Sequence, residues 1–183
     1  MPFSGWTQTE PEEIAMVSDE FQDSFYESLL QKGIENYDKA IVALEKCLVS
    51  QPNNATVHFE LGKNYLALKQ YENAYQAFQK ATQIEPKNKW FWTGIYDLSF
   101  QTKNYERAMT AVQQLILFDE RNKDDLIPLY MATNQLEKAL TLIGEMNAKY
   151  GKSQERTPFT NQILFETKYQ SSDWYALSDF KNY

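Results

Sequence analysis

The sequence is poor in the residue types that site chemistry uses: among 183 residues there is one cysteine, Cys47, and one histidine, His58. A lone cysteine excludes an intramolecular disulfide and favours, weakly, a reducing compartment. A single imidazole without a second histidine or a cysteine pair makes a poor metal site. His58 therefore reads as a half-buried packing residue, and Cys47, on an apolar face, as a buried inert thiol. Glycine and proline number six each, which suits helices better than a turn-rich β fold. No G-x-x-x-x-G-K, H-E-x-x-H or G-x-S-x-G motif occurs. Adjacent carboxylates such as Glu12–Glu13 and Asp124–Asp125 would diverge by about 100° on a helix, so they solvate a helix start rather than share a proton. No catalytic set, metal site or cofactor is assigned, and the chain is expected not to be an enzyme.

Basic residues are absent before Lys32, whereas seven of the 25 acidic ones (Glu10, Glu12, Glu13, Asp19, Glu20, Asp23 and Glu27) fall there; from Lys32 onward the charges balance. A neutral body with an acidic arm is a poor match for polyphosphate, so nucleic acid is not an expected partner. The first twenty residues lack a basic n-region and an apolar h-region, and no stretch approaches a membrane span. A soluble chain with no membrane partner is expected. The cytoplasm is the default compartment, with a leader removed upstream of Met1 (periplasmic or secreted) as the other reading.

What the sequence does contain is a repeated phrase. "IENYDKA" (34–40), "KQYENA" (69–74), "TKNYERA" (102–108) and "NQLEKA" (134–139) place Ala40, Ala74 and Ala108 at intervals of 34, with Ala139 following after 31. Tyr37, Tyr71, Tyr105 and Leu136 stand three before the alanine, and Leu44, Phe78, Val112 and Ile143 four after it. Pro52 and Pro86 keep the same step. A fixed period in this range marks a stack of supersecondary units. Within 55–86, Phe59, Leu61, Gly62, Tyr65 and Leu68, then Tyr71, Ala74, Tyr75, Phe78, Ala81 and Ile84, recur at three- and four-residue steps, so each unit reads as two helices. The polar Lys69–Gln70 marks the turn, and Pro86 stops the second helix. Gly62 and Ala74 are expected where the helices cross, because only small side chains let axes approach to roughly 8–10 Å.

These residues resemble the tetratricopeptide repeat (TPR) family. Residues 55–88 carry the match, with His58 where that family usually has tryptophan, then Leu61, Gly62, Tyr65, Ala74, Phe78, Ala81 and Pro86 at the family's places. Residues 89–122 are a second good copy (Trp92, Ile95, Tyr105, Ala108), departing at Tyr96, in place of the small glycine, and at Glu120, in place of the closing proline. Residues 18–54 are a worn first copy, its first helix kept by Phe21, Phe25 and Leu29, with Ser18 as the cap. Residues 123–150 are a fourth copy with a shortened first helix, interrupted at Pro128. The resemblance implies an all-α, right-handed solenoid of about four helix-turn-helix repeats.

The ends depart from the pattern. Residues 1–17 read as an acidic N-terminal arm. Residues 151–183 begin with the linker "GKSQERTP" and continue with seven aromatics (Phe159, Phe165, Tyr169, Trp174, Tyr175, Phe180 and Tyr183). Helices over 160–169 and 173–181 are expected to cap the last hairpin; the alternative is that this tail docks into the groove of its own or a neighbouring molecule.

The family's groove positions, carried over, are Thr56, Phe59, Glu60, Lys63, Leu66 and Ala67 in the second copy and Trp90, Thr93, Gly94, Asp97, Phe100 and Gln101 in the third. The Lys/Arg/Asn set with which some TPR modules clamp a carboxylate is missing, since Lys63 is the lone cation among these positions. The resemblance thus implies an interaction scaffold whose aromatic groove takes a protein or peptide segment bearing apolar or aromatic side chains. The alternative is a structural module that self-associates into a homo-oligomer through its end repeats or aromatic tail, or a fragment of a longer array. Phe59 and Phe100 also have a plain reading as packing between repeats.

Overall fold

The computed structural model describes residues 11–171, with side chains over 19–167. Among these residues there are nine α-helices, one 3-10 helix and no strand. The fold is an all-α helical repeat, and the chain divides into two units, one ending at Thr102 and the other starting at Lys103.

The first unit holds α1 (Pro11–Gly33), α2 (Tyr37–Ser50), α3 (Ala55–Ala67), α4 (Tyr71–Ile84) and α5 (Lys89–Gln101). α1 and α2 pair as one hairpin, α3 and α4 as the next; α2 packs on α3, and α5 on both α4 and α3. The repeated phrase is the start of each second helix. Tyr37 and Tyr71 are the first residues of α2 and α4, and Ala40, Ala74, Leu44 and Phe78 are buried one and two turns on. Pro52 and Pro86 each stand two residues past a helix end. Beyond them Asn54 caps α3 by accepting the Val57 N–H at 3.1 Å, and Asn88 caps α5 by accepting the Trp90 N–H at 3.2 Å.

The corners between paired helices share one backbone solution. Glu35 and Lys69 are left-handed, with φ of 59° and 60°. Each corner closes in the same way: Asn36 N–H donates to Gln31 O and Gln70 N–H to Tyr65 O, both at 2.8 Å, while Glu35 N–H reaches Lys32 O at 3.0 Å and Lys69 N–H reaches Leu66 O at 2.9 Å. This pairing satisfies the helix's last carbonyls. A side chain in the left-handed region costs about 1–2 kcal/mol relative to glycine, so the corners persist because the packed helices fix them.

Two glycines set how closely the helices approach. A Cβ on Gly62 would lie 2.4 Å from the Phe78 ring, and one on Gly94 2.8 Å from Phe59 and 3.4 Å from Phe78. The Phe59 ring sits 5.2 Å from that of Phe78 and 4.9 Å from that of Phe91, centre to centre. Toward α1 the core continues through Leu44, Cys47, Val57 and Leu61, with Phe21 and Phe25 against it. The first copy departs from expectation at its start. α1 runs from Pro11 without a break, so Ser18 lies inside a helix rather than capping one, and 11–17 belong to α1 rather than to a separate arm. Residues 1–10 lie outside the described residues.

The second unit holds α6 (Tyr105–Ile116), the 3-10 helix Glu120–Asp125, α7 (Leu126–Ala132), α8 (Leu136–Tyr150) and α9 (Arg156–Ser171). Ala108, Val112, Ala139 and Ile143 are buried at the phrase's positions. Lys103 and Asn134 are left-handed as well, with φ of 58° and 56°, and Gln135 N–H reaches Tyr130 O at 2.7 Å. Pro128 does not interrupt α7. It stands in the first turn, where no helical N–H is needed, and the irregularity falls earlier, in the 3-10 helix. There Glu120 accepts side-chain bonds from Lys149, Lys123 and Tyr150, which lower its pKa to about 2.

α9 covers α7 and α8, with Ile163 buried among Ile127, Ile143 and Met146. It starts earlier than the linker reading implied because Arg156 anchors it. The Arg156 guanidinium donates to Asp124 Oδ2 at 2.8 Å, Asn147 Oδ1 at 2.9 Å and the Gly151 carbonyl at 2.6 Å. That is the hydrogen bonding a buried charge requires. The expected helix over 173–181 lies outside the described residues.

Gly62→Ala should lower stability by about 1–3 kcal/mol, because crowding of the buried Phe78 ring outweighs the better helix propensity of alanine; an unchanged urea midpoint would contradict the contact. Lys69→Gly should do the reverse, raising stability by about 0.5–1 kcal/mol in the same measurement, since relief of the left-handed strain exceeds the added entropy of the unfolded chain.

Candidate functional site

In the first unit α1, α3 and α5 form one layer. α3 touches α5, and α1 is tied to α3 by Lys32 Nζ, 2.9 Å from Glu60 Oε2. On α5, Trp90, Thr93, Asp97, Phe100 and Gln101 follow steps of three and four and so share a face. Trp90 is 62% exposed, with Lys89 Nζ 4.8 Å above its ring. It borders a hollow of about 670 Å³ made with the Glu85–Lys89 segment. Phe100 is exposed and lies 5.9 Å from the Tyr96 ring. Thr93 is half-buried, its hydroxyl donating to Lys89 O at 3.2 Å, and Gln101 is exposed.

Asp97 is exposed as a residue, yet neighbouring protein atoms withdraw enough water from its carboxyl to raise its pKa.

On α3 the expected residues play different parts. Phe59 is half-buried between Phe78 and Phe91. Its ring is chiefly core rather than an open part of the layer's surface; Lys63 Nζ lies 5.0 Å above it. Glu60 has a side chain only 12% exposed, and it pairs with both Lys32 and Lys63. Lys63 is the one cation among the expected positions on α3 and α5, and Lys32 of α1 joins it on Glu60, so the layer carries a Lys32–Glu60–Lys63 chain of charge running from α1 to α3. Leu66 is half-buried and Thr56 and Ala67 are exposed, while Gly94 is pressed against Phe59 and Phe78.

The groove positions above omit α1 altogether. One period before Glu60, Lys63 and Leu66 stand Tyr26, Leu29 and Lys32; the first two are exposed and the third carries the ion pair. The step of 34 would have found them. Leu29, expected to help hold the first helix in place, instead contributes apolar surface.

His58 and Trp92, also one period apart, do one job. His58 Nε2 lies 2.9 Å from Pro52 O, and the Trp92 Nε1–H donates to Pro86 O at 2.9 Å. Each straps a helix to the proline loop before it, which explains why histidine can stand where tryptophan is usual. Cys47 is fully buried, its Sγ 3.6 Å from Phe21 O, and burial raises its thiol pKa. Among the described residues no group of three His, Cys, Asp or Glu side chains could hold a metal ion, and no helix is long and apolar enough to cross a membrane.

Residues 65–124 match the family model described as tetratricopeptide repeat. No curated protein matches the sequence. Solved structures share the fold. One is YrrB, described as a TPR protein with an unusual peptide-binding site: 13% identity, TM-score 0.65, covering 88% of this chain and 86% of that one. Another is MamA from Desulfovibrio magneticus RS-1, residues 41 to the end, at 16% identity and TM-score 0.62, covering 84% and 98%. A third is the first TPR of Spaghetti (RPAP3) bound to the HSP90 peptide SRMEEVD, at 16% identity and TM-score 0.56, covering 66% and 95%. At these identities the likeness is one of fold.

Asp97→Asn should test the desolvated carboxyl. A carboxylate whose folded pKa is raised costs stability above that pKa, and the cost disappears as pH falls toward the unfolded value. The variant should therefore melt slightly higher than wild type at pH 7, with the gap closing toward pH about 4; equal melting at both pH values would show that the carboxyl is fully solvated.

Proposed function

We propose that this chain, which has an all-α helical-repeat fold and matches the tetratricopeptide repeat model over residues 65–124, is a non-catalytic interaction scaffold. Its ligand is an extended or helical segment with apolar or aromatic side chains, received on the α1–α3–α5 layer. The fold itself is that of a protein-interaction module. The observation that carries the finer reading is Trp90: a large aromatic left 62% exposed on a helix whose other face is core.

Tyr26, Leu29 and Phe100 extend the apolar surface, while Lys32, Glu60 and Lys63 neutralise most of one another's charge between them. Rigid aromatics beside a mostly compensated polar strip supply large contact area without an unpaired charge to desolvate. Asp97 is the exception, and a cation on the bound segment would relieve it. The printed descriptions of YrrB and of the Spaghetti repeat support the reading, since each connects this fold with a peptide.

The test is selection of peptides from a random displayed library on the intact protein, followed by titration of the winners against Trp90→Ala. Selected peptides should be rich in aromatic and aliphatic residues. The substitution should weaken them by about 30-fold, the loss expected of a hot-spot tryptophan, with the melting temperature nearly unchanged. Undiminished affinity would place binding elsewhere, and a sharp fall in melting temperature would make Trp90 a packing residue.

A further inference from the structure

α1 is apolar on two opposite sides. Phe21, Phe25 and Ser28 face the core it shares with α2. Tyr26 and Leu30, and Ile34 one residue past the helix end, follow at four-residue steps on the other side, 68%, 61% and 65% exposed. At about 100° per residue, Asp19, Asp23 and Glu27 fall within the same outward arc as these three. All three carboxylates are exposed, as is Glu20 beside them, and none has an ion-pair partner among the described residues. The only cation on α1, Lys32, is turned to Glu60. Next to this face a cleft of about 380 Å³ opens between α1 and α2, lined by Glu20, Phe21, Asp23, Lys46 and Val49. A helix with one face in the core and a second apolar row in water is an unfinished packing surface.

We propose that the outward face of α1, which shares only Tyr26 with the α1–α3–α5 layer, is a second docking surface, and that its occupant is a basic amphipathic helix of a partner protein. Apolar residues of that helix cover Tyr26, Leu30 and Ile34, and its lysines or arginines pair with Asp19, Asp23 and Glu27. Charge selects this occupant over a second copy of the chain, which would present the same acidic row and set like charge against like.

The probe is a fluorescent amphipathic peptide of leucine and lysine, titrated by anisotropy beside a leucine–glutamate peptide of the same pattern. The lysine peptide should bind, several-fold more weakly at about 300 mM than at about 50 mM salt because exposed charges are screened, and the glutamate peptide should not. Leu30→Lys/Ile34→Lys should weaken the lysine peptide at least tenfold, and Asp23→Lys/Glu27→Lys should do likewise, with helicity by circular dichroism retained because all four side chains are exposed. Peptides selected on the groove should bind Leu30→Lys/Ile34→Lys as they bind wild type. The proposal is overturned if both probe peptides bind alike, if either variant binds the lysine peptide as wild type does, or if groove ligands are lost together with it. It is equally overturned if light scattering finds a wild-type dimer that Leu30→Lys/Ile34→Lys dissolves.

Discussion

The Phe78 ring fixes the spacing of the first unit. It lies buried where α3, α4 and α5 meet, its Cδ1–Cε1 edge against Gly62 and within reach of Gly94. Neither glycine serves backbone freedom; each is the absence of a methyl group where an aromatic edge must pass. The Phe59 ring completes the contact by bridging Phe78 and Phe91, so three successive helices meet through three aromatic rings. The spacing of the helices, and with it the surface they present, follows from this contact, because packed interiors transmit changes of a single methylene.

The repeat was legible because its period is written in residues with one geometric duty each. Tyr37, Tyr71, Tyr105 and Leu136 open helices, and the alanines that follow are buried. Less legible were features that depend on tertiary surroundings. Nothing local distinguishes Ser18 as a cap from Ser18 as an interior helix residue, and the helix continues through it. Pro128 looked like an interruption, yet a proline in a first turn has the same composition and the opposite meaning. The anchoring of α9 depends on Arg156 meeting Asp124 and Asn147 from other elements, a meeting that no spacing announces.

The α1–α3–α5 layer shows the same division. Trp90, Asp97, Phe100 and Gln101 could be placed by register alone, and they do share a face. Register could not say how deeply each is set. Phe59 is drawn into the core, whereas Trp90 stays in water. The part of α1 in this layer is recoverable from the step of 34, although the first copy keeps few of the repeat's other residues. Lys32 changes the electrostatics most, since it gives Glu60 a second partner from another helix and turns an isolated cation into a compensated strip.

The four left-handed bends at Glu35, Lys69, Lys103 and Asn134 agree in φ to within a few degrees although none is glycine. Lys69 and Lys103 stand one period of 34 apart with the same hand. Excising residues 69–102 would join the chain at bends of identical hand, so arrays of this kind can lengthen or shorten by one period without inventing a new turn.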